Sequence, residues 1–334
     1  MKRLLLIMIL LAGCQGSNDG QSSSAPVPTP AVPQVHRVYY VNSYHQGYPW
    51  SDGIERTIGE VLREYSRDQG SRIELEVYRM DSKRRSAPEQ IAAAAQGALA
   101  EIHRIKPEVV IVSDDNAVKY LVEPYLVKEK IPVVFCGVNW STERYHLPAD
   151  LVTGMIEVQL ADQIVKTLQG FARGSRVAFL KGDDYSARVE AEAIARTFKL
   201  DLDLHLVKNF KAWKEEYRRL QKEADLLILG NSTSIAGWND QEALAWIEAE
   251  TVIPSGGWDD WMARYCLLTL ATSPQEQGDW AAHAALRILQ GTPVADIPQV
   301  RNQKARIILN IALAKRMGIR FPMSLIDNAT LLAE

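Results

Sequence analysis

The chain has 334 residues, 47% hydrophobic and 24% charged, with 38 Lys and Arg against 41 Asp and Glu for a formal net charge of −3. That balance belongs to a folded globular protein and not to a disordered one. It holds no basic excess that would favour a nucleic acid as partner.

In chain order, Lys2 and Arg3 precede an uncharged apolar run over residues 4–11. The run is too short to span a bilayer and reads as an export signal. It closes on Leu11-Ala12-Gly13-Cys14, which resembles the lipobox of bacterial lipoproteins. Residues 1–13 are therefore expected to be a signal peptide, with Cys14 acylated and made the new N-terminus. Residues 14–35 are rich in Ser, Pro, Gly and Gln and hold almost nothing that could offset the entropy of ordering, so they are expected to form a flexible tether. About 300 residues remain, more than one core usually holds, which suggests two lobes. With Cys14 lipidated, only Cys136 and Cys266 are left; both lie in apolar, strand-like runs and read as buried free thiols.

From Val38 onward, short runs rich in Val and Ile at residues 38–41, 73–78, 109–112, 133–135, 152–156, 177–180, 202–207 and 226–229 alternate with amphipathic helical stretches. Such alternation predicts an α/β fold of parallel sheets with helices on both faces. Ser86, Pro88 and Glu89 read as the start of a helix that runs to about Ile105 and ends before Pro107, with Ser86 as its N-cap. The two halves look alike, because acidic pairs follow apolar runs at Asp114-Asp115, Asp183-Asp184 and Asp259-Asp260. The expectation is two doubly wound lobes.

In open parallel sheets, ligands bind beyond the carboxyl ends of the strands. The polar and aromatic residues just past those ends are the candidate ligand-binding residues: Ser43, Tyr44, His45, Ser113, Asp114, Asp115, Asn139, Glu157, Asp183, Asp184, Tyr185, Asn231, Ser232, Trp258 and Asp259. Ser and Asp at such positions also serve as helix N-caps, and aromatics there can pack as core or rim. No second His lies at metal-ligand spacing from His45, and the motifs of hydrolases, dinucleotide-binding folds, phosphate loops and zinc proteases are missing. No metal, no cofactor and no catalysis are expected.

The lipobox and tether, "VNSYHQGYPWSDGI", "VVFCGVN", "TGMIE", "SPQEQGDWAAHAALRILQGTPVADIP" and the closing "ARIILNIALAKRMGIRFPMSLIDNATLL" together resemble the ABC-transporter substrate-binding proteins of the type with a tryptophan-binding member. The opening and the "CGVN" turn also resemble the extracytoplasmic sensor domains of some bacterial kinases. The resemblance spans residues 36–334 and implies a type I periplasmic-binding fold, in which the chain crosses three times between two hinged lobes. Carried onto this chain, residues 36–150 plus 268–297 would form lobe 1, and residues 151–267 plus 298–334 lobe 2. The carboxylates would suit a small amine-bearing ligand, the Ser and Thr hydroxyls with helix-start N–H groups its carboxylate, and the aromatics an apolar side chain. An amino acid, aromatic or otherwise, meets all three. Lys181 is the obvious cation among these groups. The implied protein is a monomeric, extracytoplasmic lipoprotein that hands its ligand to an ABC permease or reports its closed state to a sensor kinase.

Overall fold

The computed structural model describes residues 35–333; the expected signal peptide, Cys14 and the tether up to residue 34 lie outside the described residues. The chain begins β1 (Val35–Asn42), α1 (Pro49–Gln69), β2 (Arg72–Arg79), α2 (Pro88–Ile105), β3 (Val109–Ser113) and the short α3 (Asp114–Ala117), which runs into a π-helical stretch, Val118–Leu126. It continues through β4 (Val133–Asn139), β5 (Val152–Glu157), α4 (Ala161–Gln169), β6 (Val177–Gly182), α5 (Tyr185–Phe198), β7 (Leu202–Val207), α6 (Phe210–Glu223), β8 (Leu226–Leu229), α7 (Asp240–Glu250) and β9 (Ser255–Gly257). Last come β10 (Leu268–Thr272), α8 (Pro274–Leu289), β11 (Val300–Arg301), β12 (Ala305–Asn310), α9 (Ile311–Met317), α10 (Met323–Ile326) and β13 (Ala329–Leu332). No helix among the described residues is long and apolar enough to cross a membrane.

Two sheets form, ordered β11-β5-β4-β3-β1-β2 and β13-β12-β10-β9-β8-β6-β7. The first is parallel throughout, while the second has one antiparallel pair, β10 with β12. Successive side chains of a strand leave opposite faces. Accordingly Val38 and Tyr40 pack with α1 and α8 on one side of the first sheet, and Tyr39 and Val41 pack with α2 and the π-helical stretch on the other. Burial on both faces explains the continuous apolar runs. The second sheet has its own core, built on Phe179, Trp213, Tyr217, Ile228 and Leu268. Cys136 and Cys266 are buried free thiols.

The chain passes between the sheets three times. Residues 152–157 are an interior strand of the first sheet and residues 268–272 an interior strand of the second, while β11 adds a short edge to the first. The crossings therefore follow Glu157, Thr272 and Arg301, a few residues past the approximate lobe bounds at 150, 267 and 297. They are tied side by side. The buried Asn302 side chain imitates a strand partner, accepting from Val158 N at 2.7 Å and donating to Val158 O at 3.1 Å. Glu276, in the first turn of α8, accepts from Gln303 N and Lys304 N at 2.9 Å each. Thr272 Oγ1 donates to Glu157 Oε1 at 3.1 Å.

Ser86 is not the N-cap of α2. Pro88 occupies the first turn, which holds the residue before it extended, and Ala87 takes the cap position without a side-chain bond. Residues 252–254 form no strand; the strand before Asp259 is β9, residues 255–257.

Candidate functional site

The bond between Thr272 and Glu157 joins the carboxyl ends of β5 and β10, so both sheets turn their carboxyl edges toward the crossings. A cavity of about 520 Å³ lies between them, lined by Asn139 at the end of β4, by Trp140 and Arg144 after it, and by Val189, Glu192 and Arg196 of α5. Trp140, in a left-handed backbone conformation (φ 64°), also packs on the core of the second sheet.

At the edge of the first sheet, Asp114 follows β3 with φ 66° and is 2% exposed. Gly137 makes room for it, since a Cβ there would approach Asp114 Oδ1 to 3.2 Å. Trp50 Nε1 donates to Asp114 Oδ1 at 3.0 Å, but the buried Oδ2 has no hydrogen-bond partner among the described residues. Desolvation, opposed by bonds from Trp50 and Ser113, pushes this carboxyl up to about 7. Desolvation and then the nearby Asp114 push Glu157, at the end of β5, up to about 8. Tyr44 stands beside them, its hydroxyl held well above the ordinary range by burial and then by Asp114, and its ring meets Tyr48 edge-on at 5.0 Å. A buried carboxyl with an idle oxygen and a half-buried one beside it, under aromatic cover, can accept a cationic group.

At the edge of the second sheet, Asp259 follows β9. Desolvation and then Glu190 push it up to about 6, against Lys181 and Asn231, and its buried Oδ2 also lacks a partner. Lys181 is not a free cation, because it is buried and ion-paired with Glu190.

Several candidates also hold structural positions. Ser43 is fully buried; its Oγ accepts from Ala117 N at 2.9 Å and donates to Ser113 O. Ser113 is buried too and accepts from Tyr40 Oη at 2.9 Å. Asp115 and Asn139 bind one another at 2.8 Å, and Asp115 also takes Tyr145 Oη and Arg144, which fixes the turn after β4. Asp183 pairs with Arg188, and Asp184 caps α5 through Ala187 N at 2.6 Å. Asn231 Oδ1 accepts from Thr233, and Ser232 closes a turn through Ile235 N. Trp258 is 5% exposed and meets Phe179 edge-on at 5.3 Å, so it belongs to the core. His45 lies 3.6 Å from Asp81 and lines a separate cavity with Arg84 and Arg85. The side chain of Tyr185 lies outside those described.

Trp50, Lys83, Glu190 and Thr272 join these groups although none of them directly follows one of the apolar runs that announce strands. Trp50 was readable as an aromatic near the β1 turn. The others reach in from a neighbouring loop, a helix and a crossing, which strand ends do not reveal.

The sequence matches the family model for ABC transporter substrate binding proteins over residues 80–332. The chain belongs to that family, whose members bind substrates and are not enzymes. A search of the curated proteins found no match. Among solved structures, the ligand-free, open form of a substrate binding protein with adhesive properties from Clostridium difficile is similar (TM-score 0.65, 14% identity, 89% of this chain and 99% of that one). So are an ABC domain in complex with L-Trp from Streptococcus pneumonia (0.53, 15%, 88% and 99%) and an ABC transporter substrate-binding protein in complex with Leu from Desulfitobacterium hafniense (0.53, 13%, 78% and 86%). These likenesses establish the periplasmic-binding fold.

Proposed function

We propose that this protein captures a small amine-bearing ligand, an amino acid, between its two sheet edges and hands it to an ABC permease. It works outside the cytoplasm, as a monomer held to the membrane by a lipid on Cys14. The observation that carries the ligand class is the idle, buried Oδ2 of Asp114 beside Glu157. A carboxylate kept from water gains most from a charged donor. Tyr44 and Trp50 offer rings to an apolar or aromatic side chain. The L-Trp and Leu complexes of two fold relatives agree with this class. Closure follows from differential affinity, since a ligand touching both edges favours the closed form.

A thermal-shift panel of amino acids, polyamines, sugars and nucleosides tests the reading. A true ligand at a hundredfold its Kd adds about 2.7 kcal/mol to stability. Stabilisation by an amino acid is the expected result. A response to an uncharged sugar or nucleoside alone overturns it.

A further inference from the structure

The loop between β2 and α2 carries three consecutive bases, Lys83, Arg84 and Arg85, and they part company. Arg84 turns to Asp81 with bonds of 2.7 and 3.0 Å, and Arg85 lies 3.8 Å from the same carboxylate. Lys83 turns the other way. Its Nζ stands 4.5 Å from the centre of the Tyr44 ring and 5.3 Å from that of Tyr48, among the aromatics over the carboxyls of the first sheet edge. It makes no ion pair among the described residues, although Asp114 and Glu157 both feel its charge.

The root of this side chain is anchored. Ser82, immediately before it, is 4% exposed, donates to Ser43 O through both N (2.9 Å) and Oγ (2.7 Å), and accepts from Asn116 Nδ2 at 2.9 Å. Met80 N and Asp81 N bond to Asn42 O and Tyr44 O at 2.8 and 3.2 Å. The loop is thus stitched to the turn after β1, and the lysine extends from a fixed point over the site. Among the other cations near the sheet edges, Lys181 is taken by Glu190, Arg144 by Asp115 and Arg188 by Asp183.

We infer that Lys83 receives the carboxylate of the ligand while Asp114 receives its ammonium, so that the first sheet edge alone distinguishes a zwitterionic amino acid from an amine. This rests on the amino-acid reading above and deepens it. One unpaired cation beside one idle carboxylate oxygen is the charge pattern that an α-amino acid complements end for end. An amine lacking the carboxylate would leave Lys83 with only its aromatic contacts, and two cations would face each other across the site.

The test compares each of the twenty L-amino acids with its own carboxamide, which keeps the ammonium and removes the negative charge. Calorimetry on the full chain is then run for every pair that stabilises the wild type. K83M retains the aliphatic stem and deletes the charge; K83R retains the charge. The wild type should prefer acid over amide by about tenfold or more, the worth of one charge-assisted bond. K83M should bring the two within about twofold of each other by weakening the acid, and K83R should restore most of the preference. Equal preference in wild type and K83M overturns the assignment of Lys83 and leaves the amino-acid reading intact. Failure of every acid and amide to bind the wild type overturns both.

Discussion

In the proposed reading, Asp114 links ligand recognition to stability. Its folded-state carboxyl sits at about 7 against an ordinary 3.8. The folded protein therefore holds this proton more tightly than the unfolded chain does. The stabilisation is complete below the ordinary value and is lost as pH rises through about 7. Glu157, at about 8, extends the same trend upward. The ligand-free protein should have a lower Tm at pH 8 than at pH 5 for this reason. D114N should narrow that gap, and Tm measured at the two values for both proteins checks it; an unchanged gap would show that Asp114 does not titrate in this range. An ammonium ligand pairs with the ionised form, so its stabilising effect should grow over the same interval.

The place of Asp114 at the sheet edge was readable from the sequence because it directly follows an unmistakable strand. Lys83 was not, since it arrives from a loop two strands away. For Trp258 the sequence left both places open: position after a strand does not say whether an indole turns to the cleft or the core, and Phe179 and Glu190 pack it into the core in three dimensions.

At the scale of elements, the legible strands are those buried on both faces, whose side chains must be apolar at every position. β9 was invisible because its sequence is Ser-Gly-Gly. A Cβ on Gly256 would come within 2.4 Å of Ile164 and 2.9 Å of Leu168; the close seat of α4 on this strand removes the side chains that would have announced it. The short β11 and the antiparallel β12 carry no strand-helix rhythm either. Asp184 belongs at this scale as well, since it caps α5. D184A should cost about 1 kcal/mol of stability. Chemical denaturation measures that loss, and a normal midpoint would show that the cap contributes nothing. W258A should cost more, about 3–5 kcal/mol, because it empties part of the second core.

The described residues form two sheets joined by three short crossings that Asn302, Glu276 and Thr272 hold together, and in the proposed reading each sheet edge is one half of the site. Once a ligand is seated on one edge, the other cannot diffuse away, and its engagement becomes an intramolecular event governed by effective concentration. Each half-site can then be weak by itself while the pair binds tightly. Affinity should accordingly depend on residues that never approach the ligand. Two glycines inserted between Lys304 and Ala305, beyond the last N–H that Glu276 clamps, should weaken binding by about tenfold while circular dichroism and Tm stay near those of the parent. The tied crossings thus act as the term that converts two modest encounters into one retained molecule, and their length sets how much local concentration each edge presents to the other.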